Sequence, residues 1–178
     1  MKKYFILILI LFSISLTEVL SPEHNSTLNM THILFEWEQV PDAISYTVTI
    51  YDESSGEYIN DTVESLIYIN ETFFNWSTSY SWYVAPIFED GSQGLNIQDS
   101  NGNVYFTFSI GNSRSNAYSI NTNSEQYSDG ITLFSSFFDY YSAAIDQDGN
   151  EIWNSGDENI IFYNTDYYGQ LFGAKLDN

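Results

Sequence analysis

From about residue 17 onward the chain alternates. Ile33, Phe35 and Trp37 fall on one side of an extended segment, Leu34 and Glu36 on the other. Tyr46, Val48 and Ile50 repeat the pattern against Thr47 and Thr49, and Tyr80, Trp82 and Val84 repeat it against Ser81 and Tyr83. Val104, Phe106, Phe108 and Ile110 form a last strand of this kind, facing away from Tyr105 and Thr107. Leu66 and Tyr68, with Val63, predict a weaker strand between them. A period of two places one face in a core and the other in water. Leu20-Ser21-Pro22 opens the series, and Pro41-Asp42-Ala43, Glu89-Asp90-Gly91 and Asp99-Ser100-Asn101-Gly102 punctuate it. About seven short strands with regular turns predict a β-sandwich over residues 16–111.

The alternation lapses over residues 112–129, which are rich in Asn and Ser and read as a linker with a short strand at Tyr118 to Ile120. It resumes at Gly130. Ile131 to Phe134, Tyr141 to Ile145, Glu151 to Trp153, Ile160 to Tyr163 and Leu171 to Ala174 are short apolar runs. Asp146-Gln147-Asp148-Gly149-Asn150 joins the second run to the third, and Asp-Gly between strands is a strong hairpin signal because Gly accepts a positive φ. Strands at this spacing predict one antiparallel sheet of the size of a propeller blade over residues 130–178. The fold class is all-β, with no convincing helix of about ten residues after the N-terminal apolar run.

That N-terminal run adds a location. Met1-Lys2-Lys3 is basic, Tyr4 to Ile14 is almost wholly apolar, and Ser13 and Ser15 are small. The layout is a secretory signal over residues 1–15 with cleavage after Ser15. The apolar run stops before Thr17-Glu18, short of the ~20 residues a spanning helix needs. The expected location is secreted, periplasmic or extracellular, with no membrane contact after the signal is removed. There is no cysteine, so disulfides, cysteine zinc sites and a lipoprotein anchor are excluded. Removing Lys2 and Lys3 leaves Arg114 and Lys175 against 24 acidic residues, a net charge of −22. Such a surface excludes nucleic acid and anionic lipid as partners.

Candidate chemistry is sparse. His24 and His32 are the only histidines, neither stands in a ligand cluster, and both read as surface or strand-edge residues. Asp146 to Glu151 invites a calcium reading but lacks the EF-hand spacing. Asp99-Ser100-Asn101-Gly102-Asn103 has the same form, which argues for turn chemistry, with weak calcium binding as the alternative. Tyr140, Tyr141, Tyr167 and Tyr168 form either an aromatic platform for sugar or phenol rings or, more in keeping with their strand-like runs, core. Asn25, Asn29, Asn60, Asn70 and Asn75 head glycosylation sequons that matter only in a host that modifies exported proteins. No nucleophile elbow, phosphate loop or HExxH occurs. No catalytic, cofactor-binding or metal residue is assigned, and no cofactor is expected.

Phe35-x-Trp37, Ala43-x-x-Tyr46-x-Val48 and Tyr80-x-Trp82-x-Val84 resemble the B, C and F strands of a fibronectin type III or related immunoglobulin-like domain. The resemblance implies a tyrosine corner at Tyr80, its hydroxyl bonding the backbone upstream. Residues 129–134 and 166–173 resemble the start of an arylsulfotransferase-like propeller. Ala144-x-Asp146-x-x-Gly149-x-x-x-Trp153 is similar to the repeat of quinoprotein-type propellers, though it lacks the usual Thr before Gly and is one residue short, so cofactor binding is not implied. Trp153 would pack between blades. Members of the arylsulfotransferase family carry an N-terminal sandwich ahead of six blades and transfer sulfate through a channel histidine. No histidine follows His32 and Arg114 is the only arginine, so none of that machinery is placed here. The resemblance implies an exported N-terminal fragment that positions or dimerises a catalytic parent, with the rest of its propeller, or a second copy, as partner. The alternative is a non-enzymatic cell-surface binding or adhesion module.

Overall fold

Eight strands build the first unit: β1 (Val19–Ser21), β2 (Ser26–Leu28), β3 (Ile33–Trp37), β4 (Ala43–Asp52), β5 (Tyr58–Val63), β6 (Ile67–Asn70), β7 (Ser79–Phe88) and β8 (Phe106–Ile110). The computed structural model describes residues 17–115, 130–167 and 170–177, so the expected signal segment and the short strand at 118–120 lie outside it. One sheet has the order β1-β3-β6 and the other β2-β8-β7-β4-β5. All pairings are antiparallel except β2 on β8. The alternating residues meet between the sheets. Phe35, Trp37, Tyr46, Val48, Ile50, Trp82, Val84 and Phe106 are all essentially inaccessible. Phe35 lies edge-on to Trp82 at 4.7 Å between ring centroids, and Trp37 lies 5.4 Å from Tyr46. Edge-to-face packing of this kind adds attraction beyond the area buried.

Two sequence expectations change here. Val63 does not share a strand with Leu66 and Tyr68: it ends β5 on β4, whereas Tyr68 lies in β6 on β3, in the opposite sheet. The segment between them crosses from one sheet to the other. β2 is an addition: its three residues, Ser-Thr-Leu, hold no alternation long enough to detect. The tyrosine corner is present: Tyr80 is buried and its hydroxyl accepts the Asn75 N–H at 2.8 Å. Tyr46 does the same for the Val40 N–H at 2.9 Å.

The second unit holds β9 (Thr132–Ser136), β10 (Tyr141–Ile145), β11 (Glu151–Asn154), β12 (Ile160–Thr165) and β13 (Leu171–Lys175). Every expected strand is there, but the five do not form one sheet. They form a three-stranded sheet, β11-β10-β9, and a separate hairpin, β12-β13. Hydroxyls stitch the two together. Ser135 and Ser142 bond each other at 2.9 Å, Ser142 donates to the Ile160 carbonyl, and the Phe162 N–H reaches both serine oxygens at 2.8 Å. Ser142 and Ala143 are fully buried, so the interior between the sheets is narrow and partly polar. A pleat lined by such small side chains lets β12 approach face to face, where it cannot extend the ladder of β11. Residues 112–115, expected in the linker, are also part of the folded structure.

Candidate functional site at the joint between the two units

The free edge of β11 is covered by the sandwich. Past the end of β2, the Thr31 N–H donates to the Ile152 carbonyl at 2.9 Å and the Asn154 N–H donates to the Asn29 carbonyl at 3.0 Å. Met30 thereby pairs antiparallel with Trp153. Residues 29–31 thus form one antiparallel bridge on the edge of β11 and cover that part of the ladder. The Trp76 indole adds a bond to the Glu151 carbonyl at 2.8 Å. The Asn29 side chain is wedged against two glycines. A Cβ on Gly111 would stand 2.5 Å from Asn29 Oδ1, and one on Gly156 would collide with the same amide. Gly156 also has φ +58°, a conformation side chains resist.

Glu151 sits behind this bridge with only 8% of its surface exposed. A carboxylate in that position needs donors. It has three: the backbone N–H groups of Arg114 (3.0 Å) and Ser115, and the Asn154 amide. Asn154 also donates to the Asn112 carbonyl at 3.0 Å and accepts the Gly156 N–H at 2.8 Å. The Arg114 guanidinium does not pair with Glu151. It stands 4.4 Å from the centroid of the Tyr141 ring, a cation–π contact, and donates to the Gly156 carbonyl. A cleft of about 620 Å³ opens beside these groups, lined by Thr27, Asn29, Gly111, Asn112, Arg114 and Asp157. Glu151, Asn154, Asn112 and Arg114 are each engaged by neighbouring groups of the joint.

Comparison with known proteins adds a fold neighbour. The chain is similar to a Fn3-like protein from Clostridium thermocellum. The crystal structure of that protein matches at 21% identity and a TM-score of 0.37, over 52% of this chain and 92% of that one. No protein-family model and no curated protein matches.

The other sequence candidates fall away from any common site. The His24 ring accepts the Thr107 N–H at 3.1 Å and stands edge-on to Phe106, so it braces β8. His32 precedes β3, half-buried. The two acidic turns are built alike. Asp99 accepts the N–H groups of Asn101 (2.9 Å) and Asn103 (2.8 Å) on one oxygen and the Asn103 amide on the other. Asp146 accepts Asp148 N–H (2.9 Å), Asn150 N–H (2.8 Å) and the Asn150 amide in the same way. Gly102 and Gly149 close them at φ +83° and +88°. Both carboxyls lie below the usual range. The Asn103 amide is the chief cause at Asp99; at Asp146 burial opposes the charge and the turn donors outweigh it. These carboxylates point into their own turns, which is turn chemistry. Among the described residues no three His, Asp or Glu converge as metal ligands. Tyr140 and Tyr167 face solvent, Tyr141 is buried under Arg114, and Tyr168 lies outside the described residues, so no shared platform forms from that group.

Sequence reading missed the joint. Glu151 looked like the start of a strand and Asn29 like a sequon. No local signal marks either, because their partners lie in distant stretches of the chain.

Proposed function

We propose that the chain is an exported N-terminal part of an arylsulfotransferase-like protein, in which the sandwich is a rigid foot for the first propeller strands and carries no catalysis itself. The observation that supports this reading is the bridge made at residues 29–31. It adds one antiparallel edge contact to the three-stranded β9-β10-β11 sheet, a step towards the four antiparallel strands of a propeller blade. Trp76, Asn29 and Glu151 would then set the angle at which the propeller leaves the sandwich. The strand order of the sandwich, β1-β3-β6 facing β5-β4-β7-β8, supports a fibronectin-III-like reading of the foot. Half-exposed Phe172 and the edges of β12-β13 offer surface to further blades of the same protein. The test is sulfate transfer from a phenolic sulfate ester to a phenol. The full-length gene product is expected to turn over and residues 16–178 are not; an inactive full-length product, or turnover by the shorter chain, overturns the reading.

A second reading, a cell-surface binding module, is favoured by one observation. The open face of the five-stranded sheet carries exposed tyrosines that serve no core.

A further inference from the structure

On the outer face of the five-stranded sheet four tyrosines form a row, one from each of β5, β4 and β7 and one just ahead of β8. Tyr58 and Tyr51 are cross-strand partners with ring centroids 5.7 Å apart. Tyr51 and Tyr83 stand 6.4 Å apart, and Tyr83 and Tyr105 stand 5.2 Å apart. The first three rings are tilted by only 32° and 34° from one to the next, while Tyr105 turns edge-on at 79°. Tyr58 is 64% exposed, Tyr105 60% and Tyr51 38%. The row thus steps across neighbouring strands, which lie ~4.8 Å apart, and Tyr51, Tyr58 and Tyr105 are open to solvent. None of the four takes part in the joint.

The groups around the row are polar, and apart from Glu53 those named here are neutral. Ser81 and Thr107 pair across β7 and β8 beside it, and Asn60 lies next to Thr49, bonded at 2.9 Å. Glu53 receives the Ser81 hydroxyl. No aliphatic side chain of the paired positions interrupts the row, and among the described residues no cation lies on it: Lys175 is paired with Glu158 and Arg114 with Tyr141. Protein interfaces are enriched in Met and Arg as well as in aromatic residues, and β4, β5, β7 and β8 carry neither Met nor Arg. Acidic polymers are repelled by the net charge of −22 in the signal-free chain.

We propose that the Tyr58–Tyr51–Tyr83–Tyr105 row binds a neutral, ribbon-like polysaccharide of β-1,4-linked pyranoses. The axial C–H groups of such a chain form flat apolar faces, which the negative faces of aromatic rings attract. Its equatorial hydroxyls would reach Ser81, Thr107, Asn60 and Glu53 at the margins of the row. A row that runs across the sheet suits an extended chain, and a strip with no walls suits an internal segment rather than a chain end. This deepens the surface-binding reading and does not depend on the sulfotransferase one.

The probes are soluble β-1,4-glucan and xylan oligosaccharides, titrated calorimetrically into the purified chain, with polygalacturonate as an anionic control. Saturable binding of a neutral oligomer and none of the control is expected. Tyr58→Ala and Tyr105→Ala should each weaken it about tenfold, as loss of one stacked ring does elsewhere. Tyr58→Phe should keep most of the affinity, since the ring remains. Both positions are exposed, so thermal melts of the variants should match the parent. No binding of any neutral oligomer overturns the proposal, and so does binding that survives Tyr58→Ala with Tyr105→Ala. Concentration-dependent dimerisation that the double variant abolishes overturns it as well, by assigning the row to a second copy. Surface display on cells without glycan binding would leave the surface-module reading standing and remove this one.

Discussion

The Trp76 indole donates to the backbone carbonyl of Glu151, 75 positions away, at 2.8 Å, and this bond ties the sandwich to the second unit. Trp76→Phe keeps the packing and removes the donor. It should lower the stability of the second unit by about 1 kcal/mol, the usual net worth of one such bond. The sandwich, against whose core the Trp76 ring packs, should change less. Amide exchange in β11 should rise while β7 stays unchanged; equal changes in both would show that Trp76 serves the sandwich core instead.

Gly156 and Gly102 both have positive φ, yet only Gly156 faces an obstacle. A Cβ at Gly102 meets nothing within 4 Å, whereas one at Gly156 meets the Asn29 amide. Gly102→Ala should therefore lose roughly 1–2 kcal/mol from backbone strain alone, and Gly156→Ala more than that. Denaturant melts of the two variants, read separately by fluorescence and by exchange in β11, rank them. For the same reason a glycan on Asn29, in a host that adds one, should unseat the second unit.

Tyr80 and Tyr46 each satisfy a backbone N–H that would otherwise lack a partner. Tyr80→Phe and Tyr46→Phe should each destabilise by about 1–3 kcal/mol. Trp37→Ala empties a large core site and should remove roughly 3–5 kcal/mol. Trp37→Phe should be much milder, because the Trp37 indole N–H has no hydrogen-bond partner among the described residues and nothing polar is orphaned. Urea melts that find Trp37→Ala within about 1 kcal/mol of the parent would take Trp37 out of the core.

Asp146 and Asp99 give the protein an acid limit. Their carboxyls are held below the usual range in the folded state. A depressed folded pKa stabilises the fold above the unfolded value, about 3.9, and the contribution is lost as pH falls through the folded value. Stability from these turns should be level near neutrality and decline below about pH 4. Asp146→Asn should flatten that decline in the second unit, measured by melts across the acid range; Asp99→Asn should flatten it only in part in the sandwich, where the Ser54 and Ser92 hydroxyls hold Asp52 and Asp90 low as well.

The two units should also open at different free energies. The sandwich buries a continuous aromatic cluster, whereas the second unit encloses Ala143, Ala144, Ile152 and Ile161 and leaves Phe138 and Phe172 in solvent. Few buried apolar contacts mean easier local unfolding. Amides of β9, β10, β12 and β13 should exchange well before those of β4 and β7; equal protection in a monomer would contradict this.

Much of the molecule is local and could be read along the chain. Alternation placed Phe35, Trp37, Tyr46 and Trp82 in the core, Asp-x-Asx-Gly-Asn predicted both turns, and the outward direction of Tyr83 and Tyr105 followed from their neighbours. A side chain's face depends on its own strand, and a turn on five consecutive residues. What joins strands is different. The split of the second unit into two sheets, the bridge made at residues 29–31, the burial of Glu151 and the tyrosine row all depend on which edges pair and in what register. Tyr51 meets Tyr58 and Tyr83 only because β4 lies between β5 and β7. Alternation constrains register, because a slip of one residue would turn the apolar set outward, but which edges pair is decided by the competition of every edge in the folded chain for the same backbone hydrogen bonds.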